Sequence, residues 1–205
     1  MTAFNMRSTL TVLAVLAAGA AMAGDLPNAK EAAKSLYKTG RNPTIVRVLV
    51  PDMVPANYAA ALQSAAKVQK FFEAMAASPS EGMLAASATL AANFHTAEAA
   101  HAAAIAGCNA KKAAGAKPCV VIAEFLPKGY RGPGGFSLSF QATEAFGKYK
   151  RAKAPKAFAI SASTGNWGEA VKAASPEAAA AAAIAECAAR AAKHGARDCQ
   201  VVTAD

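Results

Sequence analysis

Four cysteines, Cys108, Cys119, Cys187 and Cys199, constrain this chain more than any other feature, because their surroundings match in pairs. From Thr96 the first stretch reads TAEAAHAAAIAGC, NAKKAAGAKPC, VVIAEF; from Ser175 the second reads SPEAAAAAAIAEC, AARAAKHGARDC, QVVTAD. Alanine supplies 59 of the 205 residues, so its identities weigh little. The discriminating matches are Glu98 with Glu177, Ile105 with Ile184, Cys108 with Cys187, Gly115 with Gly195, Cys119 with Cys199 and Val121 with Val201. A single inserted residue before the second glycine absorbs the difference in length. That order and spacing predict one unit used twice.

The residue types predict what each unit looks like. Thr96 and Ser175 are N-cap residues whose hydroxyls satisfy free amides of a first helical turn, Pro176 suits the first helical position, and Glu98 and Glu177 lie near the positive end of the dipole. The helices are expected to run to Lys112 and His194, with Gly115 and Gly195 as left-handed caps. A β-branched run after each second cysteine, 120–122 and 201–203, reads as a strand. Upstream, 157–161 and 167–171 read as a hairpin around Gly165-Asn166, and 138–152 as a helix. The matching first-copy elements are a helix over 58–76 and a weaker hairpin over 83–88 and 90–94, with an additional strand over 44–50 ahead of them. The expected fold is α+β, two tandem copies of a helix–hairpin–helix–strand module with small antiparallel sheets packed with Ala-rich helices. Expected boundaries are 24–128 for the first module with its N-terminal extension, 129–135 (GYRGPGG) for a Gly-rich linker, and 136–205 for the second module.

The first residues predict export. Arg7 provides a positive start, residues 10–20 form an apolar run shorter than the about 20 residues that span a bilayer, and Ala21-Met22-Ala23 is a small-x-small cleavage pattern. Residues 1–23 therefore read as a cleavable signal peptide, with a periplasmic or secreted product and no membrane span after cleavage. In that setting an even number of cysteines reads as disulfides. Four cysteines allow three connectivities. The repeated context selects Cys108–Cys119 and Cys187–Cys199, since a bridge internal to the module works identically in both copies. Removing residues 1–23 takes away only Arg7 and lowers the net charge from +9 to +8, so attraction to envelope polyanions is expected.

The run AFAISASTGNWGEAVKAASPEAAAAAAIAECAARAAKHGARDCQVV resembles a group of small exported proteobacterial domains of unknown function. These share an Ala-x-Ala strand, a Gly/aromatic turn, a helix opening Ser-x-Glu-x-Ala and a Cys pair ending in Cys-x-Val-Val. The resemblance covers 157–203 well and 80–123 loosely. It implies an exported α+β domain and carries no activity.

Chemistry-bearing motifs are sparse. There is no Cys-x-x-Cys for metal or redox work, no Gly-x-Ser-x-Gly, and no Lys-Ser/Thr after the glycines of 129–135 to make a phosphate cradle. His95-x-x-Glu98-x-x-His101 has the residue types of a metal site, but lacks the His-Glu-x-x-His spacing of a zinc hydrolase and is absent from the second copy, where Ala180 replaces His101. No metal, cofactor or catalytic residue is expected. The densest basic stretch, Lys148, Lys150, Arg151, Lys153 and Lys156 between Phe146 and Phe158, is a candidate anion site by charge and stacking; the competing reading is a solvated helix end whose cations complement the dipole. Trp167 is expected half-buried beside its turn. The expected function is a non-enzymatic, disulfide-stabilised binding or envelope-associated protein, whose partners are envelope polyanions or another exported protein. The alternatives are a basic polyanion binder and a small periplasmic enzyme with a site assembled from distant residues.

N-terminal sequencing of the exported protein should begin at Gly24. Retention of Met1 would overturn the signal reading.

Overall fold

The computed structural model describes residues 26–205; the expected signal peptide lies outside the described residues. The fold is α+β, with five α-helices among the described residues and two separate antiparallel sheets. Helix α1 (Ala29–Ala32) precedes the first sheet unit. That unit runs β1 (Thr44–Val48), α2 (Ala56–Ala65), β2 (Glu73–Ala77), β3 (Thr89–Ala91), α3 (Ala97–Asn109) and β4 (Val120–Pro127). The second runs α4 (Phe140–Tyr149), β5 (Ala157–Ser161), β6 (Trp167–Ala170), α5 (Pro176–Ala191) and β7 (Cys199–Ala204). The strand orders are β1-β4-β2-β3 and β6-β5-β7. In each unit the first strand of the hairpin is flanked by the hairpin's return strand and by the strand that follows the long helix. A register shift falls on the latter pairing in both, at Met75/Ala76 against β4 and at Phe158/Ala159 against β7.

The helix over 58–76 expected from alanine propensity is a correction. Helix α2 ends at Ala65, and Glu73–Ala77 is an inner strand of the first sheet. Tertiary packing overrides propensity here: Ala74 and Ala76 are fully buried against Ala100, Ala104 and Cys108 of α3. Ala157 and Ala159 meet Ala179, Ala183 and Cys187 of α5 in the same way. Residues 83–88, expected as a strand, form turns, and the return strand is only Thr89–Ala91. Helix α3 stops at Asn109 rather than Lys112, and Gly115 (φ +80°) serves a later turn. Helix α5 stops at Ala191 and continues as one 3-10 turn, Ala192–His194, which Gly195 caps at φ 74°. The expected N-caps are in place: Thr96 Oγ1 accepts from the Ala99 N–H at 3.1 Å, and Ser175 Oγ accepts from the Ala178 N–H at 3.2 Å.

Methyl-only contacts let helix and sheet approach closely, and one position in each unit shows the limit. Thr89 pairs with Ala76 on β2, and Gly168 pairs with Ala159 on β5. Opposite Thr89 the helix carries Gly107, whose added Cβ would lie 2.9 Å from the Thr89 methyl. Opposite Gly168 the helix carries Glu186, and a Cβ on Gly168 would lie 2.2 Å from the Ala183 carbonyl oxygen. The glycine sits on the helix in one unit and on the strand in the other. Beside these contacts the disulfides Cys108–Cys119 and Cys187–Cys199 tie helix to strand with Cα separations of 6.1 and 6.0 Å. Each closes a short loop, which contributes about 3 kcal/mol by the chain-entropy argument.

Larger side chains fill the opposite faces. Phe146, Tyr149 and Phe158 form a buried aromatic set, and α1 packs on it through Ala29 and Ala32. Helix α1 thus docks on the second unit, while Tyr37, further along the N-terminal segment, packs on Phe71 and Phe72 of the first. Tyr130, in the Gly-rich loop between the units, packs on Tyr37 and Phe72.

Gly168→Ala should destabilise by several kcal/mol, because its new methyl meets rigid helix backbone. Gly107→Ala should cost less than about 2 kcal/mol, since its neighbour is a rotatable side chain, and Thr89→Ala should relieve that cost. Urea unfolding of the three variants and the double mutant checks both. Equal losses for the two glycines would contradict the contact geometry.

Candidate functional site

The two units meet at a joint organised by His95. The imidazole is 1% exposed. Its Nδ1 accepts from the Ser139 N–H at 2.9 Å, and its Nε2 lies 2.9 Å from the Asn166 carbonyl oxygen. A backbone N–H can only donate and a carbonyl can only accept, so the ring is neutral with its proton on Nε2. Burial pushes the His95 pKa down to about 4, against the opposing pull of the Asn166 carbonyl and of Asp198. Ser137 Oγ donates to the His95 carbonyl at 2.8 Å. Gly165 completes the joint: any Cβ there would fall 1.6 Å from the Asn93 carbonyl oxygen, so only glycine lets the 162–166 turn approach.

Above this joint lies a cleft of about 490 Å³ with walls from both units. Ala92, Asn93, Phe94 and Ala103 come from the first, and Gln141, Ser163, Thr164, Asn166, Trp167 and His194 from the second. Its amides are held in place. Asn93 Nδ2 donates to Gln141 Oε1 at 3.0 Å, and the Gln141 N–H donates to Asn93 Oδ1 at 3.2 Å. Both the Asn166 N–H and its Nδ2 donate to Thr164 Oγ1, at 3.1 and 3.0 Å. Gln141 Nε2 and Asn166 Oδ1 are left as donor and acceptor without a protein partner among the described residues. Trp167, the one tryptophan of the chain, is fixed from behind. The Arg190 guanidinium lies 4.8 Å from the ring centroid and donates to the Trp167 carbonyl at 3.0 Å, while Glu186 pairs with Arg190 and accepts from the Glu169 N–H. Among the described residues, no Asp, Glu, Lys or Arg lines the cleft.

The His95–Glu98–His101 cluster separates in the structure. His95 is in the joint, and Glu98 lines a smaller cavity of about 70 Å³ with Tyr37, Phe72 and Tyr130. The His101 Nε2 lies 2.8 Å from Glu124, which also meets Arg47 at 3.4 Å. Among the described residues no three His, Cys, Asp or Glu side chains are grouped to hold a metal. Of the basic stretch, Lys148, Lys150, Arg151 and Lys153 are exposed. Lys156 is the exception and a correction: it is 6% exposed, because its ammonium is committed to the carbonyls at the end of α4 and to Asp205. Phe146 and Phe158 are buried and offer no stacking surface. The cysteines are all bridged.

Sequence reasoning missed the cleft, since Asn93, Gln141 and Asn166 are distant in the chain and carry no motif; the one available signal was Gly165-Asn166-Trp167. It also missed Glu73, which is 3% exposed and whose Oε2 has no hydrogen-bond partner among the described residues. Burial raises the Glu73 pKa to about 7, with Lys70 opposing. No family model, curated protein or solved structure matches the chain.

His95 and Glu73 set opposite pH dependences. His95, depressed from 6.5 to about 4, contributes stability that is complete above pH 6.5 and lost as pH falls towards 4. Glu73, raised from 4.5 to about 7, contributes stability that is complete below pH 4.5 and lost as pH rises towards 7. Each full shift is worth about 3 kcal/mol, so their slopes offset between about pH 4.5 and 6.5. Glu73→Gln should unmask His95: unfolding free energy should rise with pH across that window by about 1 kcal/mol per unit, where the parent is nearly level. Identical profiles for parent and variant would overturn the assignment.

Proposed function

We propose that this protein is an exported, disulfide-stabilised binding protein that holds its ligand in the cleft between its two sheet units. The observation that carries the reading is the cleft itself, a cavity walled by both units whose polar groups are prepositioned by hydrogen bonds and whose aromatic wall is braced from behind. Ligand sites are characteristically concave, mixed apolar and polar, and placed between structural units. The perturbed ionisable groups lie elsewhere, which supports binding over catalysis. His95 sits behind the wall with both nitrogens bonded to backbone, and Glu73 is outside the cleft lining. Two disulfides belong to an oxidising compartment outside the cytoplasm, and among the described residues no helix is long and apolar enough to cross a membrane. The finer assignment, cleavage after Ala23 and release into the periplasm or medium, rests on the sequence pattern at residues 7–23.

Internal duplication is part of the same proposal. It is supported by the paired Cys contexts, the shared strand order and register shift, and the reciprocal Gly107/Thr89 and Gly168/Glu186 contacts. The resemblance to small exported proteobacterial domains fits each copy, the second better than the first.

Trp167 gives a direct test. Fractions of an envelope extract should contain a component that shifts its emission in the parent protein. Ala103→Phe, which fills the cleft without removing a hydrogen bond, should abolish the response while leaving the melting temperature within a few degrees. An undiminished response in that variant would place binding outside the cleft.

A further inference from the structure

Lys156 changes the meaning of the basic stretch around it. Its Nζ donates to the carbonyls of Tyr149, Lys150 and Ala152 at 3.3, 3.0 and 3.0 Å. These are the last carbonyl of α4, which also accepts from the Ala152 N–H, and two carbonyls just beyond the helix end, where the helix dipole is negative. One buried lysine therefore supplies the complement that the whole run would otherwise be invoked to provide. Lys150, Arg151 and Lys153 remain exposed with that role already filled.

The fold brings a further cation to them. The Lys172 N–H donates to the Lys153 carbonyl at 3.1 Å, which sets the exposed Lys172 beside the end of α4 from the far side of the β5–β6 hairpin. None of these four residues makes an ion pair among the described residues. Lys148 is set apart from them, because Glu169 lies within its field. Next to Lys172, Val171 is 39% exposed. The aromatic residues interleaved with the cations, Phe146, Tyr149 and Phe158, are at most 1% exposed. Readers of single-stranded nucleic acid combine positive charge with exposed aromatic faces on which bases stack. This surface offers ammonium and guanidinium groups and one aliphatic side chain, and no such face. That combination suits a layer of phosphate headgroups, to which each cation near the surface adds its own attraction.

We infer that Lys150, Arg151, Lys153 and Lys172 form a docking surface for an anionic phospholipid membrane. The protein associates with the surface of the bilayer through these headgroup contacts and does not insert a helix. The contact is separate from the cleft, whose lining shares no residue with it.

The test is vesicle co-sedimentation of the disulfide-bonded protein recovered after export. Vesicles containing phosphatidylglycerol should bind it at low salt, and phosphatidylcholine vesicles should not. Binding should vanish at about 1 M salt, where the Debye length is about 3 Å. Replacing Lys150, Arg151 and Lys153 with Gln should lower the partition constant about a hundredfold, from about fivefold per cation. The equal charge change Lys38→Gln, Arg41→Gln, Lys67→Gln should lower it less than tenfold. All three substituted positions of the first variant are exposed, and circular dichroism should confirm an unchanged fold. Equal losses in the two variants would mean diffuse attraction and overturn the docking surface. Displacement by millimolar glycerol phosphate would mean a soluble-phosphate site. Retention on heparin through the same residues without vesicle binding would mean a polymer site; either result overturns the membrane assignment.

Discussion

The close approach of each long helix to the strand beneath it is the constraint on which the remainder of the structure depends. Its buried centre is alanine and cysteine. Ala100, Ala104 and Cys108 lie on Ala74 and Ala76 in one unit, and Ala179, Ala183 and Cys187 lie on Ala157 and Ala159 in the other. A methyl group buries little area, so these interfaces yield little hydrophobic free energy for their length. What they provide is proximity, which puts the cysteine of the helix within bridging distance of the cysteine that opens the next strand. The covalent link then supplies stability that the thin apolar contact lacks. Bulkier hydrophobic residues are placed on the other faces, around Phe146 and Phe158 in the second unit and around Val46 and Phe125 in the first.

The joint between the units follows a different rule. It is held by hydrogen bonds: a neutral imidazole between a backbone donor and a backbone acceptor, a serine on the histidine carbonyl, and reciprocal amide contacts between Asn93 and Gln141. Such a network fixes geometry more strictly than apolar contacts of similar size, because an imperfect fit leaves buried polar atoms unpaired. The cleft above it inherits that rigidity, as does the orientation of Trp167 beneath Arg190.

Much of the second unit was legible in the sequence because its signals agree with one another. The β-branched and aromatic strand residues, the Gly-Asn turn, the Ser-Pro-Glu helix start and the left-handed Gly195 all point to the elements observed. In the first unit propensity and context conflict: Glu73–Ala77 is composed of good helix formers, and only the helix lying across it makes it a strand. Lys156 was misplaced for a related reason. Its neighbours in the chain are exposed cations, and nothing local distinguishes the one that turns inward to the helix end. The cleft was illegible because no local pattern joins Asn93 to Gln141 and Asn166; the fold alone brings them together.

Helix α1 raises a matter of timing. The N–H of Ala29 is directed to the carboxylate of Asp205, 176 residues away, and its buried face fits an aromatic set made wholly of later residues. A chain emerging from its N-terminus synthesises this helix long before its seat exists. A helix of four residues has no stability of its own, so it stays unstructured until the second sheet is built. Both disulfide loops can close before that happens, since each needs only residues within its own unit. The first of these residues to be made are thus among the last to find their place, and seating α1 closes a contact that spans nearly the whole described chain.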